Sequence, residues 1–463
     1  MKITLYGAAG DVTGSAYHVQ TDRAQFMVDF GMFQGVPEAE ARNCVPEGLN
    51  PGALDAVLLT HGHLDHVGRM PLLVKNGFRG PIFATPATIE MASLILRDSA
   101  KVQAQDLERT NRKRERSGKP LLPVMYNHQD VEETIGHFKP ITYNDEGQLF
   151  DGVKVRAVEA GHMLGSVSFQ VFLEDGGKEK TVVFSGDLGP AGLPVLKDAQ
   201  CLHRADLVFM ESTYGNRDHR SLEETLEEAK DIIVQAVERK GKILVPAFAV
   251  GRTQQIMYHV AAMFRNKIVE PFPIYIDSPM AIEATKIYTH HPDLFDEEAS
   301  KLKESGQLAV NLKDVKPSQT ADDSKALNKM PGTMMIIAGS GMCHAGRILH
   351  HLRNHLSDPT ATVIIVGYQA YGTLGRRLVE REEKVKIFGE WHEVKASVHS
   401  LGGFSAHAGQ TDLLKWFECV APAKPRVVLT HGEAKGRVPL AKIIEERYGL
   451  KPELPEYGDV IEL

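Results

Sequence analysis

Only four cysteines and two tryptophans occur among the 463 residues, no apolar run is long, and basic residues are not in surplus. Each shortage removes a class of protein. Cys44, Cys201, Cys343 and Cys419 stand far apart with no paired spacing, so neither a disulfide scaffold nor a thiolate metal cluster is expected. Reduced thiols in the cytoplasm fit that pattern. The longest apolar runs, such as "GTMMIIAG" and "ATVIIVG", are strand-length and far short of the ~20 residues that span a bilayer, so no membrane association is expected. The N-terminal "MKITLYGAAGDVTGS" lacks a basic region followed by an apolar core, so no secretory leader is expected. The net charge of −7 argues against coating nucleic acid through bulk electrostatics, although it leaves room for a local basic groove.

What remains is an ordinary globular composition, 43% hydrophobic and 24% charged, in a chain long enough for two or three domains at about 150 residues each. Up to about residue 200 the texture is strand-rich: "AQFMVDFG", "LDAVLLT", "VKVRAVEAG", "SVSFQVFLED" and "KTVVFSGD" are short β-branched or alternating runs. A polar, helix-favouring stretch over roughly 87–118 interrupts them. Between about 205 and 395, amphipathic helices such as "SLEETLEEAKDIIVQAVERK" alternate with buried parallel strands such as "GKILVPAF" and "GTMMIIAGS". After 395 the strand-and-loop texture returns. This predicts a first domain at 1–205, an inserted α/β domain at 206–395, and a segment at 396–463 that completes the first.

Acidic and imidazole side chains recur just after apolar strands. Asp29 follows "AQFMV", His61 follows "AVLLT", His162 follows "VRAVEAG", Asp187 follows "TVVFSG" and His431 follows "RVVLT". Strand ends that converge on one edge of a sheet are where α/β proteins build sites. The densest group is "THGHLDH", which packs His61, His63, Asp65 and His66 together. Nitrogen and oxygen donors without sulfur suit a catalytic zinc site, and manganese suits the same donor set. His61, His63, Asp65, His66, His162, Asp187 and His431 are too many for one tetrahedral ion, and they suffice for two ions sharing a carboxylate. Such a pair activates a hydroxide and stabilises both attacking and leaving oxygens in phosphodiester hydrolysis.

With "VDFG", "THGHLDH", "GHMLGS" and "SGD" in order, the chain resembles the metallo-β-lactamase superfamily. "MESTYGNRDH" with Glu211, "GGFSAHAGQ" with His407 and "LTHGE" with His431 resemble motifs A, B and C of the β-CASP nucleases. The resemblance implies an αββα sandwich with an inserted Rossmann-like β-CASP domain. It implies one zinc on His61, His63 and His162, another on Asp65, His66 and His431, and Asp187 bridging them. Asp29 would orient ligands from behind, and Glu211 would hold His407 as general acid. A ligand at His431 is typical of the RNA-acting members. The implied activity is hydrolysis of single-stranded RNA to 5′-phosphate and 3′-hydroxyl ends. Endonuclease action is favoured, because "FSAHA" resembles the mRNA 3′-end cleavage type more than ribonuclease J. Three rivals stand beside it: a 5′-to-3′ exoribonuclease, a hydrolase of a small ester or thioester, and a silent RNA-binding module. A homodimer is compatible with the family.

Further features bear on substrate. "AGSGMCHAGRILHHL" places a glycine-rich turn between a strand and a helix starting near His344, so Ser340, Gly341 and Met342 amides with Arg347 are expected to hold a substrate phosphate. Among His350, His351 and His355, positions four apart share a helix face, but no cysteine or carboxylate joins them, so no further metal site is expected there. Arg252, Tyr368, Tyr371, Arg376 and Arg377 are placed either against RNA or on an ordinary surface. "ERTNRKRERSGKP", holding Arg109, Arg112, Lys113, Arg114, Arg116 and Lys119, reads either as a solvated helix face or as a phosphate-attracting rim.

Overall fold

The computed structural model describes residues 1–36, 38–307, 313–367, 369 and 372–463, which form two compact units. The first unit comprises Met1–Leu193, Lys197–Asp218 and His407–Leu463, and the second Pro194–Leu196 and His219–Ala406.

Two sheets face each other in the first unit. One runs in the order Val460–Glu462, Lys2–Leu5, Tyr17–Gln20, Gln25–Val28, Ala56–Leu58, Ile82–Ala84, Phe138–Pro140. The other runs Arg426–Thr430, Leu207–Glu211, Lys178–Phe184, Val167–Asp175, Val153–Glu159, Glu146–Phe150. Period-2 alternation sends Phe26, Val28, Ala56 and Leu58 from the first sheet and Val155, Phe169, Phe184 and Phe209 from the second into one shared core. The other face of the second sheet is apolar as well. Val183, Val208, Met210, Val427 and Leu429 pack there under Leu413, Phe417, Leu440 and Ile444 of helices Gln410–Val420 and Ala434–Tyr448. Met27 and Val57, on the far side of the first sheet, are fully buried too. The unit is a helix-covered sandwich, as the fold class required.

The second unit holds a six-stranded parallel sheet in the order Val315–Pro317, Ile274–Ile276, Met334–Ala338, Lys242–Pro246, Thr362–Ile365, Ser397–Ser400. Its strands are apolar on both faces because helices cover both. Ile243, Val245 and Ile337 meet Ile256, Met257 and Val260 on one side, while Leu244, Ile336 and Val363 meet Ile348 and Leu352 on the other. This is the doubly wound insertion.

Three expectations differ from what is observed. The units divide at 218/219 and 406/407, not at 205/206 and 395/396. Leu207–Glu211 pairs in parallel with Lys178–Phe184 and Arg426–Thr430, so it belongs to the sandwich, and Ser397–Ser400 pairs with Thr362–Ile365, so it belongs to the insertion. Cys201 and Cys419, expected as free thiols, are disulfide-bonded with Cα atoms 5.7 Å apart, because the returning chain brings together residues separated by 218 positions. Cys44 and Cys343 are free. The helix after the glycine-rich turn begins at Ile348, four residues beyond His344. No helix among the described residues is long and apolar enough to cross a membrane.

Candidate metal centre

Parallel pairing explains why the acids and imidazoles meet. Lys178–Phe184, Leu207–Glu211 and Arg426–Thr430 are mutually parallel neighbours, so Asp187, Glu211 and His431 emerge at one edge. Val153–Glu159 is antiparallel to Val167–Asp175, which is antiparallel to Lys178–Phe184, so the loop carrying His162 leaves from that edge too. In the other sheet Gln25–Val28 and Ala56–Leu58 are parallel, which sets Asp29 beside Thr60 and His61. The short helix Leu64–Val67 then turns Asp65 and His66 back toward the same place.

Close backbone approach makes this possible. The amide of Phe30 donates to the His66 carbonyl at 2.8 Å, and the Met32 amide donates to the Leu64 carbonyl at 2.9 Å. A Cβ on Gly31 would lie 1.5 Å from the Asp65 carbonyl oxygen, so only glycine allows the two loops to zip together. Behind them the Arg69 guanidinium is fully buried and donates to the carbonyls of Gly31, Arg42, Cys44, Tyr6 and Gly14, tying four loop segments into one support.

Asp187 stands at the centre. Its Oδ2 lies 3.5 Å from His61 Nε2 and 3.6 Å from His162 Nε2, and its Oδ1 lies 3.3 Å from His66 Nε2 and 3.5 Å from His431 Nε2. His63 Nδ1 is 3.0 Å from His162 Nε2, and Asp65 Oδ2 is 3.5 Å from His431 Nε2. Donor atoms of His61, His63, His162 and Asp187 form one group that could hold an ion, and those of Asp65, His66 and His431 form another. Buried polar atoms are almost always partnered. Yet His61 Nε2 and Asp187 Oδ1 have no hydrogen-bond partner among the described residues, although both are buried and aimed inward. Buried nitrogen and oxygen atoms left without partners inside such a cluster are what bound cations would satisfy, so the residues fit divalent ions.

The imidazoles are oriented by partners from behind. Thr60 Oγ1 donates to Asp29 Oδ2 at 2.8 Å and therefore accepts from His61 Nδ1 at 3.1 Å, which leaves the His61 Nε2 lone pair inward. Thr213 repeats the device: its hydroxyl donates to Glu211 Oε2 at 2.7 Å and faces His431 Nδ1 at 3.1 Å. His66 Nδ1 lies 2.7 Å from Asp29 Oδ2 directly. Burial drives His61 well below its ordinary pKa and His63 down to about 4, so both are neutral. Burial opposes charge on His66 too, but Asp187 and Asp29 outweigh it and hold that pKa well above the ordinary value.

Glu211 is buried, accepts from the Leu188 amide at 2.6 Å, and lies 3.3 Å from His407 Nδ1. Burial would lower the His407 pKa, but Glu211 and Asp187 raise it to about 9. His407 and Asp65 keep side-chain exposures of 23% and 21%, so the cluster opens on their side.

All the metal-ligating and catalytic residues expected from sequence thus meet within the first unit. Ser340, Gly341, Met342 and Arg347 belong to the second. There the Ser340 amide donates to the Ala345 carbonyl at 3.1 Å. Arg347 Nη1 donates to Asp277 Oδ1 at 2.7 Å and to the Ser318 carbonyl, and Nη2 donates to the Gln319 carbonyl. The Ser340 amide is taken up within the turn, while the amides of Gly341 and Met342 and the remaining N–H groups of Arg347 carry no such bond among the described residues. Arg347 props the turn on a buried carboxylate. The same Asp277 meets His351 Nε2 at 2.6 Å, and Asn328 Oδ1 takes His351 Nδ1 and His355 Nε2, so these histidines are structural. Arg376 and Arg377 pair with Glu380 and Glu382, Arg252 bonds Gln255, and Tyr368 and Tyr371 lie outside the described residues. Sequence reading missed Thr60 and Thr213. The signal was faint: a threonine directly before His61, and one two residues after Glu211.

Comparison with known proteins agrees with this geometry. The metallo-beta-lactamase superfamily model matches residues 9–234, the Beta-Casp domain model 253–378, and the Zn-dependent metallo-hydrolase RNA specificity domain model 391–455. A ribonuclease of Thermus thermophilus is 40% identical over 99% of this chain and 99% of its own length. The transcription termination factor FttA of Pyrococcus abyssi is 30% identical over 100% of this chain and 71% of its own. A crystal structure of a protein of unknown function from Enterococcus faecalis V583 shares the fold at a TM-score of 0.56 and 14% identity, covering 100% of this chain and 99% of that one.

Proposed function

We propose, since the chain belongs to the β-CASP group of the metallo-β-lactamase superfamily and is a metal-dependent hydrolase, that it is a zinc-dependent endoribonuclease acting on single-stranded RNA. The observation that carries this reading is Asp187, whose two oxygens each address a separate group of histidines. Bound there, two divalent ions supply activation of the attacking water and neutralisation of charge on the phosphate.

The chain's own residues do the rest. His61, His63 and His162 with Asp187, and Asp65, His66 and His431 with the same carboxylate, provide the two ligand sets. Thr60 and Thr213 hold the imidazoles of His61 and His431 with their Nε2 atoms inward. His407, protonated up to about pH 9, points Nδ1 at Glu211 and keeps its Nε2 proton for the 3′-oxygen that leaves phosphorus. The P–O3′ bond breaks as the water oxygen bonds to phosphorus, the water's proton passes to solvent at the open side of the site, His407 gives its proton to O3′, and the products are a 5′-phosphate and a 3′-hydroxyl. The likeness of residues 391–455 to the RNA specificity domain and of the whole chain to a ribonuclease supports RNA as the substrate.

The test is to incubate zinc-loaded protein with single-stranded RNA labelled at its 5′ end, beside matching DNA and an Asp65→Ala variant. Internal RNA fragments that vanish in the variant, with DNA spared, are expected. Release of mononucleotides would reassign the mode to exonuclease, and no metal-dependent cleavage of either strand would reject the nuclease reading.

A further inference from the structure

Helix Pro86–Arg116 serves the centre at one end and leaves the fold at the other. Its first turns hold both ligand loops. Thr85 and Thr88 hydroxyls donate to the Gly165 carbonyl, each at 2.7 Å, beside the loop of His162. A Cβ on Gly62, between His61 and His63, would come within 3.1 Å of the Ala92 amide. Its last buried residue is Ala100. The helix nevertheless continues for sixteen more residues, from Lys101 to Arg116, with no buried side chain.

Burial of an amphipathic face is what normally stabilises a helix, so an extension beyond the core calls for another reason. Part of the answer is local. The chain returns along one side, where Asn111 exchanges two hydrogen bonds with Leu122, each at 2.9 Å, and Arg114 Nε donates to the Pro120 carbonyl. Gln103, Leu107, Asn111 and Arg114, the half-buried positions, form that face. On the opposite face Arg109, Arg112, Lys113 and Arg116 fall three, four and seven residues apart and make a stripe. From Lys101 to Lys119 there are seven cations against three acids, in a chain whose net charge is −7.

The helix dipole accounts for basic residues in the last turn, but not for Arg109, Arg112 or Lys119 beyond its end. Arg109 meets Asp106 at 3.7 Å and Arg112 meets Glu108, both as exposed pairs of little energetic worth that yield readily to another anion. Lys113, Arg116 and Lys119 form no ion pair among the described residues.

We propose that this projecting arm binds the phosphate backbone of single-stranded RNA, guiding a long substrate toward the centre that the base of the same helix supports. This rests on the ribonuclease reading. From Met91 to Arg116 the helix rises about 38 Å at ~1.5 Å per residue, so the stripe meets phosphates well away from the scissile one. Short substrates therefore do not reach it.

The test combines Arg109→Gln, Arg112→Gln, Lys113→Gln and Arg116→Gln, all exposed and outside the catalytic machinery. Affinity for an RNA of about 30 nucleotides, longer than the roughly 4–16 of one single-strand site, is measured across salt concentrations. Each phosphate that the arm no longer neutralises reduces the slope of log affinity against log salt by about 0.7. The expected result is a slope shallower by about 1.4–2.8, affinity at low salt reduced at least about tenfold, and unchanged hydrolysis of a small phosphodiester such as bis(p-nitrophenyl) phosphate. An unchanged slope overturns the proposal. So does an unchanged slope accompanied by loss of self-association in light scattering, which would assign the arm to protein contact. If the unaltered protein shows no salt-dependent RNA binding, the ribonuclease reading falls and the arm's role with it.

Discussion

Glu211 Oε1 lies 3.3 Å from His407 Nδ1, across 196 positions of sequence. Glu211 ends a strand of the sandwich, and His407 is the first residue after the chain returns from the insertion. Against the burial that opposes its charge, Glu211 together with Asp187 raises the imidazole to about pKa 9, so His407 carries its proton below that pH and loses it above.

If this proton serves the leaving oxygen, His407→Ala lowers kcat on RNA by about 10²–10⁴. The same variant loses far less on a p-nitrophenyl phosphodiester, whose leaving group needs no proton. Glu211→Gln moves the alkaline limb of the kcat profile toward neutral pH, because the carboxylate that raises the pKa is gone. Equal losses on both substrates would contradict the assignment.

Thr60→Val keeps size and removes the hydroxyl linking His61 to Asp29. Partners of ligating imidazoles are worth about 10–100-fold in metal affinity, and a loss of that size is expected in competition with a chromophoric chelator. The circular dichroism spectrum should be unchanged.

His66 is held protonated by Asp187 and Asp29 at neutral pH in the metal-free protein. Ligation needs it neutral at Nε2, so zinc binding expels a proton and tightens as pH rises. Calorimetry in buffers of different ionisation enthalpy reads that release. Heats independent of the buffer would contradict it.

Gly31→Ala forces a Cβ to within 1.5 Å of the Asp65 carbonyl unless the loops part. A stability loss of at least about 1–3 kcal/mol is expected in denaturant unfolding, with weakened metal binding, because the displaced backbone carries both Asp65 and His66.

The centre was legible because its residue types are rare in that combination. Three imidazoles and a carboxylate within "HGHLDH", directly after an apolar strand, have few packing uses, and Asp187 and His431 follow strands in the same manner. Thr60 and Thr213 escaped notice because threonine serves turns, caps and strands alike, and only distances to His61 and His431 single these two out. The structural partner of Arg347 was not legible because Asp277 follows a strand 70 positions away, and a glycine-rich turn beside an arginine shows nothing of that bond. The unit boundaries moved for a similar reason. "LVFME" and "SVHS" are short strands that suit either sheet, and only their pairing decides.

The most direct test of the shared-carboxylate centre is metal content by mass spectrometry after zinc loading and gel filtration, for the unaltered chain and for Asp187→Ala. The arrangement predicts about two ions per chain in the first and a fall to one or none in the variant, because both ligand groups lose a common member. One ion per chain in the unaltered protein, or the same content in both, would contradict it.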